Sequence, residues 1–212
     1  MNSIDKLIKI FSEFPGIGPR QARRFVYFLL TRNNGLTEEL SKNILTLKSD
    51  VVMCSNCKRF FEKKHDKATT CNICIDPNRD TERLMIVQRD IDLEAAEKNS
   101  GWNGLYFVLG GSIPILEKEP EKRVRKEELL SYVKKLISTP SGKATEKLRE
   151  ITLAMNFNPE GENTADYIKN ILKDIAKEHN IKITSLGKGL SMGTELEYAD
   201  PDTLKNALKN RS

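Results

Sequence analysis

Apolar residues in the first fifty positions recur at helical spacing. Ile4, Leu7, Ile8, Ile10 and Phe11 predict an amphipathic helix with Ser3 or Asp5 near its start. The run Phe14-Pro15-Gly16-Ile17-Gly18-Pro19 breaks that pattern. A second helix begins at Pro19, a favourable first-turn residue, with Ala22, Phe25, Val26 and Leu29 as its buried stripe. Residues 36–49, with Leu36, Leu40, Ile44, Leu45 and Leu47, predict a third helix. Past residue 83 the pattern changes. Short apolar runs at 84–87, 105–109, 151–155 and 181–184 predict strands, and 92–98, 126–137 and 161–179 predict helices between them. Strands alternating with helices imply a mainly parallel four-stranded sheet covered on both faces. Sites in such sheets lie beyond the carboxyl ends of the strands. Here those ends carry Gln88 to Asp92, Gly110-Gly111, and Asn156 to Glu162.

Between these halves stand the four cysteines of the chain, Cys54, Cys57, Cys71 and Cys74, in the pattern C-x2-C-x13-C-x2-C. Each C-x2-C pair lets one tight turn aim two thiolates at a common centre, and two such turns make the tetrahedral sulfur cage that Zn2+ prefers. The alternative is two disulfides in a secreted protein. The N-terminus opens with an amphipathic helical pattern rather than a charged cap and apolar run, so a cytoplasmic protein with reduced thiols is expected. His65 is a further ligand candidate, but four cysteines already close the shell, and a closed shell is structural. Phe60 and Phe61 are expected to cover the metal.

Charge adds a second site. Net charge is +5, and residues 15–32 hold Arg20, Arg23, Arg24 and Arg32 with no acid. Gly16 and Gly18 make a turn whose N–H groups no side chain covers, at the start of a helix whose dipole favours an anion. Cations are slightly disfavoured at that end, so three arginines there need another reason, and a phosphate backbone supplies one. The pattern resembles a helix-hairpin-helix DNA-binding motif. The bland alternative is a helical pair with a solvated basic face. The lysine-rich loop around Lys58, Arg59, Lys63 and Lys64 could also meet DNA, but a solvated loop is the favoured reading. With 38% apolar residues and no run near the roughly 18 of a membrane span, the composition is that of a soluble protein. In the tail, Gly187, Gly189 and Gly193 predict a turn-rich loop, 195–198 a short strand and 203–210 a last helix.

Read in order, G-I-G-P-R, the four-cysteine module, I-V-Q-x-x-x-D, Y-F-V-L-G-G, A-M-N-F-N-P-E-G-E-N-T-A and L-G-K-G-L-S-M-G-T-E-L-E-Y-A-D run over essentially the whole chain. Together they resemble the bacterial recombination-mediator family RecR. The resemblance implies an α+β, multi-module chain. Its parts would be a helix-hairpin-helix region at 1–50, a zinc ribbon at 51–79, an α/β Toprim domain at 80–180, and a strand, loop and helix at 181–212 that join subunits. It implies non-sequence-specific binding of single- and double-stranded DNA through Arg20, Arg24 and their neighbours. It also implies a dimer or tetrameric ring, and partnership with RecO, and in many species RecF, in loading RecA on gapped DNA.

Catalytic Toprim domains hold Mg2+ with a Glu after the first strand and an Asp-x-Asp after a later one, because Mg2+ needs hard anionic oxygens. This chain places Gln88 at the first position and Asn156-Phe157-Asn158 at the second. An amide is a weaker ligand and exchanges no proton near neutral pH. The family usually has Glu where Gln88 stands. No nuclease, topoisomerase or primase activity is therefore expected; the alternative is a Mg2+-dependent strand-processing enzyme. The resemblance also implies an acidic partner-binding Toprim face, with Asp92, Glu97, Glu160 and Glu162 as candidates. The competing reading makes them N-caps and first-turn acids.

Overall fold

The structure is a computed structural model and describes residues 1–99, 101–138, 148–187, 201 and 203–205. The chain divides into two compact units, Met1–Val52 and Met53–Ser212.

The first unit is helical. Helix α1 (Ser3–Ser12) is capped by Asn2, whose side chain accepts the Asp5 N–H at 2.8 Å. Helix α2 (Pro19–Leu30) starts from Gly18 with Pro19 in its first turn. The two pack through Phe11, which meets Phe14 and Phe25 edge to face at 5.8 and 5.9 Å between ring centres. Ala22 and Val26 are fully enclosed, whereas Phe25 remains part-exposed rather than buried. Helix α3 (Asn34–Asp50) is capped by Asn33 and buries no residue. Its predicted stripe, Leu36, Leu40, Ile44, Leu45 and Leu47, stands exposed, because this unit offers it no second layer.

Strand β1 (Val51–Met53) leads into the cysteine segment, which carries β2 (Phe60–Glu62) and the single-turn helix α4 (Asn72–Ile75). Then follow β3 (Asp80–Val87), α5 (Asp90–Asn99), β4 (Gly104–Val108), a 3-10 turn (Pro120–Lys122), α6 (Lys126–Ser138), β5 (Glu150–Ala154), α7 (Pro159–Glu178) and β6 (Lys182–Ser185). The larger sheet has the order β4-β3-β5-β6, and every pairing in it is parallel. Val87 lies opposite both Val108 and Ala154, so the three strands end level, with Gln88 just beyond.

Strand β3 is four residues longer than its apolar run. Asp80 to Arg83 hide their strand character behind charge, and those charges are paired: Arg83 with Asp80 at 2.5 Å, Glu82 with Arg149 at 3.2 Å.

The alternation of strand side chains builds two cores. On one face Leu84, Ile86, Phe107, Ile151 and Leu153 meet Leu129 and Val133 of α6 and Ile168 and Leu172 of α7. On the other, Met85, Val87, Tyr106 and Val108 meet Leu93 of α5 and, in the same cluster, Cys54, Cys57, Cys71 and Ile73. The second layer on that face is thus part helix and part cysteine module. Phe61 packs on this cluster, but Phe60 points to solvent. Among the described residues no helix is long and apolar enough to cross a membrane. Residues 139–147, which follow α6, and the predicted strand at 195–198 lie outside the described residues; of the last helix, residues 203–205 are described and are helical.

Candidate functional site

The hairpin between α1 and α2 is held by main-chain bonds: the Phe14 N–H donates to Phe11 O, and the Ile17 N–H donates to Phe14 O at 3.0 Å. Gly16 adopts φ +76°, which L side chains avoid, so glycine is required there. Gly18 has an ordinary φ of −83°, and a Cβ built on it meets nothing within 4 Å. Neither backbone nor neighbours explain glycine at 18. A bare backbone there leaves the start of α2 open to a ligand. Arg20, Arg23 and Arg24 follow on the first two turns, all exposed; Arg24 donates to Gln21 at 3.2 Å. The structure brings all five hairpin residues together.

The four cysteine sulfurs lie within 4.8 Å of one another, with Cys57 and Cys71 3.6 Å apart. A tetrahedral zinc with Zn–S bonds near 2.3 Å sets its sulfurs about 3.8 Å apart, so the donor set and spacing fit that ion. Cys54, Cys57 and Cys71 are fully buried. Hydrogen bonding from Cys57, Cys71 and Cys74 draws the Cys54 thiol far down, while Cys54, Cys71 and Cys74, with burial, push Cys57 far up. Four crowded sulfurs cannot all be anions without a shared cation. The first knuckle turns through Lys58, a non-glycine residue at φ +63°, with the Lys58 N–H donating to Cys54 O and the Cys54 N–H to Arg59 O. The Cys71 N–H donates to Cys54 Sγ at 3.3 Å. His65 sits exposed in the loop, outside this group.

Residues not singled out from the sequence fasten this module to the sheet. The Val108 N–H donates to Cys57 O at 2.8 Å. Arg125 Nη1 bridges Lys58 O and Val108 O at 3.0 and 3.1 Å. The Phe60 N–H donates to Asp90 at 2.7 Å, and Lys135 donates to Asn56 at 2.8 Å. The C-x2-C spacing predicted the tight turns but none of these fastenings.

At the carboxyl end of the sheet two of the three amides, Gln88 and Asn158, accept backbone N–H groups. Gln88 is 2% exposed, and its Oε1 accepts the Asn156 N–H at 3.0 Å. Asn158 caps α7, accepting the Gly161 N–H at 2.7 Å. Asn156 is exposed beside them. Glu160 accepts from Ser112 Oγ at 2.9 Å, and Thr164 ties its main chain to Ile113.

The four acids do not form one face. Asp92 accepts the Arg89 N–H at 2.9 Å, and Glu160 and Glu162 occupy the first turn of α7, all at the carboxyl end. Glu97 lies toward the other end of α5. It is held there by Arg79, whose Nη1 donates to it at 3.1 Å and whose Nη2 also contacts it. That guanidinium outweighs burial and keeps the Glu97 carboxyl below its usual range.

A hairpin with a bare glycine, a closed sulfur cage and a parallel sheet of Toprim order define a multi-module Toprim protein. Family models agree over three segments: a Toprim domain at residues 82–187, the RecR helix-hairpin-helix at 4–47 and the RecR C-terminal region at 189–212. Recombination protein RecR of Chloroherpeton thalassium is 34% identical over 211 residues, covering 100% of this chain and 97% of that protein. Those of Lactobacillus helveticus and Staphylococcus saprophyticus are 32% and 35% identical, each over 99% of this chain and 96% of the relative. The chain belongs to the RecR family of recombination proteins.

Proposed function

We propose that the chain is a non-enzymatic recombination mediator that grips DNA through its hairpin and helps load RecA on gapped single strands with RecO, and with RecF where present. The observation that carries this reading is the hairpin itself. Gly18 leaves the start of α2 uncovered, and Arg20, Arg23 and Arg24 stand exposed beside it. Such a grip reads phosphates and is indifferent to base sequence. A weak grip gains avidity when copies assemble into a dimer or ring, and the uncovered leucines of α3 supply apolar surface for that assembly. In this reading residues 1–50, 51–79, 80–180 and 181–212 act as grip, brace, partner platform and subunit joint. Cys54, Cys57, Cys71 and Cys74 would hold structural Zn2+ as thiolates. The protein would work in the cytoplasm, on the nucleoid.

Asp92, Glu160 and Glu162 are the acids offered to partners, whereas the ion pair with Arg79 occupies Glu97. The amides at 88, 156 and 158 supply no carboxylate for a catalytic Mg2+. Mg2+-dependent nicking of a plasmid that disappears in Glu160→Ala would overturn the non-enzymatic reading.

The grip is tested by fluorescence polarisation of labelled single- and double-stranded DNA across a salt series. Wild type is expected to bind both, with affinity falling steeply as salt rises. Arg20→Ala/Arg24→Ala is expected to lose binding and flatten the slope by about two charges. Undiminished binding by that variant would move the DNA contact away from the hairpin.

A further inference from the structure

Helix α2 carries two of its three aromatics, Tyr27 and Phe28, on the wrong side for a core. Arg20, Arg24 and Phe28 follow one another at intervals of four, as do Arg23, Tyr27 and Thr31. At 3.6 residues per turn these two rows share one face, centred about 160° from the buried stripe of Ala22, Val26 and Leu29. The six residues line a single shallow hollow. Tyr27 is 53% exposed and Phe28 46%, so packing within this unit does not account for either ring. An exposed aromatic alone is ordinary. Two of them set between arginines on the face opposite the core are not what an amphipathic helix requires.

We propose that this face is a stacking platform for the bases of single-stranded DNA. The inference rests on the hairpin gripping DNA and adds how it selects the strand. Arginines hold the backbone while unpaired bases lie on Tyr27 and Phe28, which a duplex with its bases stacked inside cannot offer. Phe28 already accepts a planar cation: the Arg32 guanidinium lies over its ring, 4.4 Å from the centre. Charge chooses nucleic acid over a second copy of this face. Arg20, Arg23, Arg24 and Arg32 fall in a stretch, from Phe14 to Thr37, that contains no Asp or Glu, so two such faces repel. A polyanion with planar bases satisfies both halves of the hollow.

The test uses full-length protein and three labelled probes of equal length: a single strand, the same strand with abasic sites throughout, and a duplex. Tyr27→Ala and Phe28→Ala are each expected to weaken single-strand binding by about 5- to 100-fold. They should leave the abasic and duplex probes, and the salt slope, nearly unchanged. Tyr27→Phe keeps a ring and is expected to bind the single strand like wild type. Arg20→Ala/Arg24→Ala should weaken all three probes alike. If the aromatic variants bind the single strand as wild type does, or weaken all three probes equally, the platform is wrong. Equal weakening with a lower mass by light scattering would assign the face to a second copy instead. If the arginine variant binds all probes normally, the hairpin grip itself fails, and the two failures are thereby told apart.

Discussion

The buried side-chain oxygen of Gln88 accepts the backbone N–H of Asn156 at 3.0 Å, tying the end of β3 to the end of β5. In a catalytic Toprim site the first of these positions would be an acid facing a metal. Here it braces the turn that leads into α7. Gln88→Leu removes the acceptor and leaves the Asn156 N–H without that partner, which costs about 0.5–1.5 kcal/mol. Gln88→Glu keeps an acceptor there and is expected to lose less. Urea unfolding of the three proteins checks the order. A Gln88→Leu protein as stable as wild type would show that the brace contributes nothing.

The same turn makes a second demand. A Cβ on Gly161 would lie 2.1 Å from Asn156 O, a backbone atom that cannot yield alone. Gly161→Ala is expected to destabilise by about 3 kcal/mol or more. Gly18 is the contrast. With an ordinary φ and nothing within 4 Å, Gly18→Ala should change stability by less than about 0.5 kcal/mol. Under the proposed grip it should nonetheless weaken DNA binding, because a methyl would stand where the backbone is to meet phosphate. Thermal melts paired with binding curves separate the two glycines: one fails in the melt, the other only in the binding.

Much of this was legible in advance, for identifiable reasons. The knuckles were visible because metal ligation fixes both residue type and spacing. The regular elements were visible where one face is buried, so α7 and strands β4 to β6 fell within two residues of their apolar runs. The first half of β3 was not, because Asp80 to Arg83 carry no apolar run, and Arg149, the residue before β5, comes to pair with Glu82 only in the fold. Glu97 was read with the other acids because its partner, Arg79, is 18 positions away, on the far side of β3. Arg125 had no signal at all: its role depends on carbonyls of Lys58 and Val108 that only the fold brings together. The amphipathic pattern of α3 was real, but period alone cannot say whether a stripe is covered by the same chain.

The Arg79–Glu97 pair should give stability a pH signature. The guanidinium holds the Glu97 carboxyl below its ordinary value against the opposing effect of burial. A depressed carboxylate binds its proton later in the folded state than in the unfolded one. Its stabilisation is therefore complete above the unfolded pKa of about 4.3 and is lost as pH falls through the lower folded value. Glu97→Gln is expected to be less stable than wild type by a constant amount near neutrality, about 1 kcal/mol because the carboxylate is partly screened by solvent. The two unfolding curves should converge in acid. A gap that stays the same down to pH 3 would mean that packing, not charge, holds the pair.

The cysteine module shares its core with Met85, Val87, Tyr106 and Val108, so the metal and the sheet should be one thermodynamic unit. Loss of the proposed zinc would leave buried sulfurs without a counter-charge and loosen the knuckle whose Cys57 carbonyl receives the Val108 N–H. Strand β4 is an edge strand, and that bond satisfies one of its outward-facing groups. Chelation, or Cys57→Ser, should therefore speed hydrogen exchange at Val108, while amides of α7 on the opposite face keep their protection longer. Metal analysis of the untreated protein should find one zinc per chain. If chelation strips that zinc and Val108 exchanges no faster, the module is an appendage, and the sheet closes its second face with α5 alone.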